Sequence, residues 1–277
     1  MAIFTKVKKD PHFFLILFLF FGGIPAVHAQ RSDSADVKRE VHYARNYADS
    51  SIRTWGFSGH GGVQVPGGDL LYRYGNNAAA GASMWYKTKS NIVLSFNWDY
   101  LFGTKIRENG ILDSIETSDG HVIDKEGKYA DVRLFERGFT LNVTAGKIFH
   151  TSSFLTPNHN SGIYLALGAG MLQHKIRIID NGSRSPQLQK QYLKGYDRLT
   201  SGFALNEFIG YWYMSKNQYV NIYFGLDLTQ GFTMSRRSWD YDLMRADTEH
   251  RIDLLTGFKL GWAIPFYKRD TNTYHYY

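Results

Sequence analysis

One stretch of the sequence offers a base beside a nucleophile: His150 and Ser152 in "FHTSS", residues 149–153. An imidazole that takes the proton of a serine hydroxyl makes an oxygen able to attack an acyl carbon, provided a third group orients the base. No carboxylate stands nearby to orient His150, so the set is incomplete. A turn histidine beside serines explains the stretch without catalysis. His121, His159, His174 and His250 are scattered singly in loops and lack metal-ligand spacing, and no glycine-rich phosphate loop is visible. The chain has no cysteine, which excludes a disulfide framework, a thiolate metal site and a cysteine nucleophile. We expect no metal, no cofactor and no nucleic-acid partner. Enzymatic activity is left open, with a non-catalytic role preferred.

A second set of chemically capable residues is defined by rhythm. In "GIYLALGAGMLQ", 162–173, one row reads Ile163, Leu165, Leu167, Ala169 and Met171, and the other Tyr164, Ala166, Gly168, Gly170 and Leu172. Strict period-2 alternation means a strand with two unlike faces. The same rhythm runs through 54–65, 79–87, 91–102, 138–146, 203–214, 219–229 and 251–266. On the non-aliphatic rows stand Asn97, Asp99, Asn142, Asn221, Asp227, Asp253 and Lys259. If that face is interior, these residues form either a solute path or binding site, or a paired polar plug, since buried charges require partners. The plug is the favoured reading, because eight strands enclose only enough room for side chains. Glu207 falls on the aliphatic row of 203–214, which implies a bulge or a different phase there.

The elements that position these rows follow from the rest of the chain. Lys6, Lys8 and Lys9 precede the apolar run "FFLILFLFF", which Gly22, Gly23 and Pro25 break before Val27-His28-Ala29. That is the form of a secretory signal peptide cleaved after Ala29. Its apolar run is shorter than the ~18–20 residues of a spanning helix. Cleavage would remove three lysines and Asp10, taking the formal net charge from +7 to +5. The expected organisation is a signal peptide at 1–29, a periplasmic lead at 30–53, a barrel at 54–266 and a tail at 267–277. Val37, Val41 and Ala44 fall at helical spacing, so the lead is either a short periplasmic helix capping the barrel or a disordered segment.

Connections alternate in length. They are short at 88–91 and 215–218, medium at 150–161, and long at 66–78, 103–134, 178–199 and 233–249. A soluble sandwich has no reason to sort its loops by parity, whereas outer-membrane barrels pair short periplasmic turns with long external loops. Trp55, Trp85, Tyr86, Phe149, Tyr164, Tyr213, Tyr219, Trp262 and Phe266 lie near the short-turn ends. Trp98, Tyr100, Phe102, Phe203 and Phe232 lie near the long-loop ends. These two groups read as interfacial girdles. The expected fold is all-β: an eight-stranded antiparallel up-and-down transmembrane barrel with aliphatic rows toward lipid.

On residues 54–266 the pattern resembles the small eight-stranded outer-membrane barrels of the OmpA/OmpX type. The "AQ" after the signal and the tyrosine-rich, loop-rich barrel look like uncharacterised outer-membrane barrels of Bacteroidetes. No motif ties the chain to the type IX secretion accessories in that group. The strand "FKLGWAIPF" is similar to the aromatic-ended terminal strand that barrel-assembly machinery recognises, although "YKRDTNTYHYY" follows it. The His150/Ser152 pair vaguely resembles the His-x-Ser of outer-membrane lipid A deacylases. Those enzymes imply an alternative, lipid A modification, as does the lead helix of outer-membrane acyltransferases by analogy.

The resemblance implies a Gram-negative outer-membrane protein with a filled, porin-like barrel and a structural, adhesive or complex-accessory role. Outer-membrane lipids, lipopolysaccharide and an envelope protein are the implied partners. Lys175, Arg177, Arg184, Lys190, Lys194 and Arg198 form a basic stretch that could contact lipopolysaccharide head groups, or could be a solvated loop. The 103–134 loop leans acidic and reads as mobile or hairpin-like. A secreted soluble β-protein is the remaining alternative.

Overall fold

A computed structural model describes residues 51–150, 158–182, 185–189, 191–215 and 221–266. The chain divides into units Met1–Tyr43 and Ala44–Tyr277, and all described residues belong to the second. The signal peptide, nearly all of the lead, the C-terminal tail, Tyr219, Ser152, Arg184 and Lys190 lie outside the described residues.

Eight strands form the described fold: β1 (Thr54–Gly68), β2 (Asn77–Lys87), β3 (Ile92–Gly103), β4 (Val132–Phe149), β5 (Gly162–Asp180), β6 (Thr200–Met214), β7 (Asn221–Ser235) and β8 (His250–Phe266). Each pairs antiparallel with its sequence neighbour, and β1 pairs antiparallel with β8, so the sheet closes into a barrel. Closure leaves no open sheet edge. The strands extend beyond the predicted windows chiefly at the long-loop end, where β4 and β5 run on to pair Val132 with Asp180. One four-residue helix, α1 (Leu70–Arg73), sits in the first long connection. Two 3-10 turns, Pro186–Leu188 and Tyr192–Gly195, sit in the third.

Side chains alternate across the wall as the period requires. Every strand contributes an exposed apolar residue to the outside: Phe57, Met84, Leu94, Val143, Leu165, Ile209, Leu226 and Leu260. The opposite row points inward and is buried. In β5 the inward row includes Tyr164, Ala166 and Leu172. Small residues there make room for large ones across the lumen. A Cβ on Gly261 would lie 2.2 Å from Cζ of Tyr223, so that glycine is the seat of the Tyr223 ring.

Two apolar layers fill the barrel's ends. At the long-loop end Leu101, Leu172 and Leu255 pack with Tyr74, Ile111 and Val122, the last two supplied by the loop between β3 and β4. That loop is hairpin-like: Glu116 bridges Val122 and Ile123 bridges Tyr129, with Gly110, Gly120 and Gly127 all at φ of +75° to +79°. At the short-turn end Trp85, Tyr164, Phe208, Trp212 and Tyr223 form a second cluster. Trp212 stacks on Tyr223 at 5.2 Å between ring centroids and meets Trp85 edge-on at 5.4 Å.

Three sequence expectations change here. Trp85 and Tyr164 belong to this interior plug, not to an external girdle, because both lie on inward rows. His174 is not a loop residue but an inward, buried position of β5. Glu207 causes neither a bulge nor a change of phase. The ladders run unbroken through it, opposite Leu167 and Leu228, and Phe203 and Ile209 on the same row are exposed.

Candidate functional site: the lumen layer and the loop crown

Between the two apolar layers lies a polar one, built by seven strands, all but β5, that aim inward side chains at the axis. Lys259 of β8 reaches Asp99 of β3 at 3.4 Å and Asp227 of β7 at 3.2 Å. His60 of β1 places Nε2 2.8 Å from Asp99 Oδ1, and its Nδ1 lies 3.0 Å from the Tyr223 hydroxyl and 3.2 Å from Ser83 Oγ. Asn206 donates to Asp227 at 3.1 Å. Ser95 and Thr144 hydroxyls lie 2.6 Å apart, and Asn97 donates to Thr144 at 3.2 Å.

Ser83, His60 and Asp99 therefore stand as hydroxyl, imidazole and carboxylate in line, the order of a nucleophile, its base and an orienting acid. The space beside them is too small for that chemistry. The cavity lined by Ser58, Ser83, Trp85, Asn97, Trp212 and Lys259 measures about 40 Å³. Such a volume admits one water or a few. Among the described residues the indole N–H groups of Trp85 and Trp212 find no acceptor, which suits water in the same space.

The other polar interior residues lie in separate layers. Asp253 sits at the long-loop end with His174 at 2.9 Å and accepts from Thr233; the Tyr74 hydroxyl lies 3.1 Å from the other nitrogen of His174. Near it Asn77 donates to Glu136 at 2.8 Å. Asn142 is buried with its carbonyl oxygen unpaired. Asn221 is buried at the short-turn end of β7. There Lys87 donates to Asn160 at 2.8 Å and to the Ile52 carbonyl at 3.0 Å. The seven polar positions thus form three layers, of which only Asp99, Asp227 and Lys259 meet one another. His60, Ser83, Glu136 and Lys87 complete the network. His60 could have been found from its parity with Ser58 and Gln64; the contact to Asp99 needs the register of two ladders.

Above the barrel, the long loops are tied together by Arg198. Its Nε donates to Glu108 of the second long loop at 2.8 Å, its Nη2 pairs with Asp242 of the fourth, and its Nη1 lies 2.9 Å from Asp240 without hydrogen-bond geometry. Burial opposes the charge, but the carboxylates of Glu108, Asp242 and Asp240 overcome it and hold the guanidinium above its ordinary value. Arg73 donates to the same Glu108 at 2.8 Å, and Arg237 pairs with Asp197. Arg198 is thus a correction: it is 3% exposed and serves the loops rather than an external head group. Lys175 and Arg177 are exposed on the outer wall of β5, and Lys194 is exposed in a 3-10 turn. Across the ladder Lys175 and Arg177 face Arg137 and Phe135, and the Arg137 guanidinium lies 5.3 Å from the Phe135 ring.

His150 points its Nδ1 at the Ser161 carbonyl, 3.3 Å away, and its ring packs against His159 at 4.6 Å. That nitrogen is therefore occupied as a donor to backbone. Among the described residues no group of three or more His, Cys, Asp or Glu side chains is arranged to hold a metal ion. No described helix is long and apolar enough to cross a membrane.

No protein-family model and no curated protein matches the chain. Among solved structures it is similar to Neisserial surface protein A, at 11% identity, covering 77% of this chain and 97% of that one with a TM-score of 0.38. It is similar to Ail of Yersinia pestis in complex with sucrose octasulfate, at 10% identity, covering 76% and 98% with a TM-score of 0.38. OprG of Pseudomonas aeruginosa follows at 10%, 78% and 95%, with a TM-score of 0.31. The closed ring of eight strands is established by this chain's own ladders.

Proposed function

We propose that the chain is an integral outer-membrane barrel with a filled lumen that acts through its long loops, as a structural, adhesive or complex-accessory protein. One observation carries this reading: apolar side chains from all eight strands remain exposed in a continuous outward belt. A soluble monomer rarely exposes more than a few hundred Å² of contiguous apolar surface. About ten residues of a strand tilted ~40° cross a ~25 Å apolar band, and every strand here is at least that long. The filled lumen argues against a solute path. The Arg198 clamp argues for a crown of loops held in one shape, as a contact surface requires.

Arg137, Lys175 and Arg177, at the loop end of the outer wall, supply positive charge where anionic lipopolysaccharide head groups would lie. The lipid A-modifying alternative is disfavoured by the backbone contact that occupies His150.

Fractionation of expressing cells tests the reading. The protein should sediment with the outer membrane and migrate differently on a gel with and without boiling. Recovery in the soluble periplasmic or secreted fraction would overturn it.

A further inference from the structure

Glu207 is an ionisable residue in the middle of the outward belt. On β6 the loop-end aromatic of its row is Phe203 and the turn-end aromatic is Tyr211; across the ladder these face Phe232 and Phe224. Glu207 lies midway, opposite Leu228 on one side and Leu167 on the other. With ~3.3 Å of rise per residue and a tilt near ~40°, each aromatic level is ~10 Å away, beyond the reach of its side chain. Among the described residues its carboxyl has no hydrogen-bond or ion-pair partner. An ionisable group facing hydrocarbon at this depth is costly and is retained where something meets it. Among the described residues its nearest polar neighbour on this face is Gln230, diagonally across the ladder, opposite Leu205, with Thr256 one strand further on, opposite Leu228.

We propose that the β5–β7 wall centred on Glu207 is a lateral interface between two copies of this chain within the membrane. The proposal rests on the integral-membrane reading above. Two barrels inserted in the same sense are related by a two-fold axis along the membrane normal, and the residue on that axis meets its own copy at equal depth. Any other partner must supply a matching polar group at that depth; a second copy supplies it by symmetry. The two carboxyl groups then share a proton, one hydroxyl donating to the other carboxylate, since like charges in contact cannot both persist. Each Gln230 adds an amide that both donates and accepts. Around them Leu167, Leu205, Leu228 and Ile209 are aliphatic, with no aromatic ring between the two levels to hold the walls apart. Leu167 is 67% exposed, among the least covered side chains of the belt.

The test is photo-crosslinking in the outer membrane of cells making the full chain, with benzoylphenylalanine in place of Leu228 or, on the far wall, of Phe96. The expected result is an adduct of twice the monomer mass from position 228, containing this chain alone, and none from position 96. Adding Glu207→Leu should lower its yield several-fold, while Glu207→Gln, which keeps donor and acceptor, should retain most of it. An adduct of another mass, equal yields from the two positions, or a yield unmoved by Glu207→Leu would overturn the proposal. Sedimentation of the unmodified chain in detergent reads the same question without a variant: a dimer is expected, and a monomer overturns it. A chain that never reaches the membrane defeats the integral-membrane reading instead, and is recognised by fractionation.

Discussion

Asp99 and Glu207 are both carboxylates near the middle of a strand, one turned into the lumen from β3 and the other turned outward from β6. Asp99 is 3% exposed and is met by His60, Lys259 and Thr140. Glu207 faces outward among leucines with no such company. The inner face carries many polar residues because each can find another across a narrow lumen. On the proposed membrane reading, the middle of the outer face carries few because a hydrocarbon surface would offer no partner. The same functional group is therefore structural on one side and a demand for a neighbour on the other.

The strongest way to break this contrast is to remove the partner inside. Lys259→Met would leave Asp99 and Asp227 buried without their shared cation. Breaking a buried pair from one side costs about 3–5 kcal/mol, so the urea midpoint of the detergent-folded barrel should fall sharply. Adding Asp227→Asn should restore part of the loss. Next in size, Gly261→Ala would drive a methyl into the Tyr223 ring, for an overpacking cost of about 1–3 kcal/mol in the same assay.

A third comparison sets the crown against the barrel. Arg198→Ala should raise amide exchange in residues 104–131 and 236–249 while leaving the strand amides protected, since the clamp ties loops to loops. If the strands opened as well, crown and barrel would be one cooperative unit.

The crown should also respond to acid. Burial works against the charge on Asp247, but the Arg251 hydrogen bond, the Glu249 amide and the Arg251 charge hold its carboxyl below the usual carboxylate range. The stability it contributes is therefore complete above the unfolded carboxylate value of ~3.9 and is lost as pH falls through the depressed folded value. Asp240 is pushed the other way by burial, so its protonation on acidification favours the folded loop. Protection of 236–249 should hold at pH 5 and fail only below about pH 4. In Asp247→Asn that acid-induced loss should disappear. The smallest stability effect belongs to the outer wall: Lys175→Ala with Arg177→Ala should move the unfolding midpoint by no more than about 0.5 kcal/mol per site, yet weaken retention of the detergent-solubilised barrel on immobilised lipopolysaccharide. Unchanged retention would remove those two residues from the proposed contact.

The strands and their facing were legible because period 2 is a property of the backbone itself. Leu165, Phe224 and Leu254 sit on the outer row that alternation assigns them, and Glu207 fits its row without any irregularity. Trp85 and Tyr164 misled because an aromatic near a strand end suits a girdle or a plug equally; only the parity of Ser83 and Lys87, or of Ala166, turns them inward. The His60–Asp99 contact was not legible, since it depends on the stagger of β1, β2 and β3, which the turns set. Arg198 was read as part of a basic run because its three carboxylate partners come from loops many tens of residues away.

The β1–β8 ladder closes the ring, and at its end the Thr54 hydroxyl donates to the Phe266 carbonyl across 212 positions of sequence. Until that seam is made, both terminal strands present unpaired amides that the proposed lipid environment could not solvate. Partial assembly is therefore penalised at every stage short of the last, and contacts this remote make for slow, concerted folding. A chain truncated before β8 should yield no smaller barrel, only material that never leaves the unfolded pool.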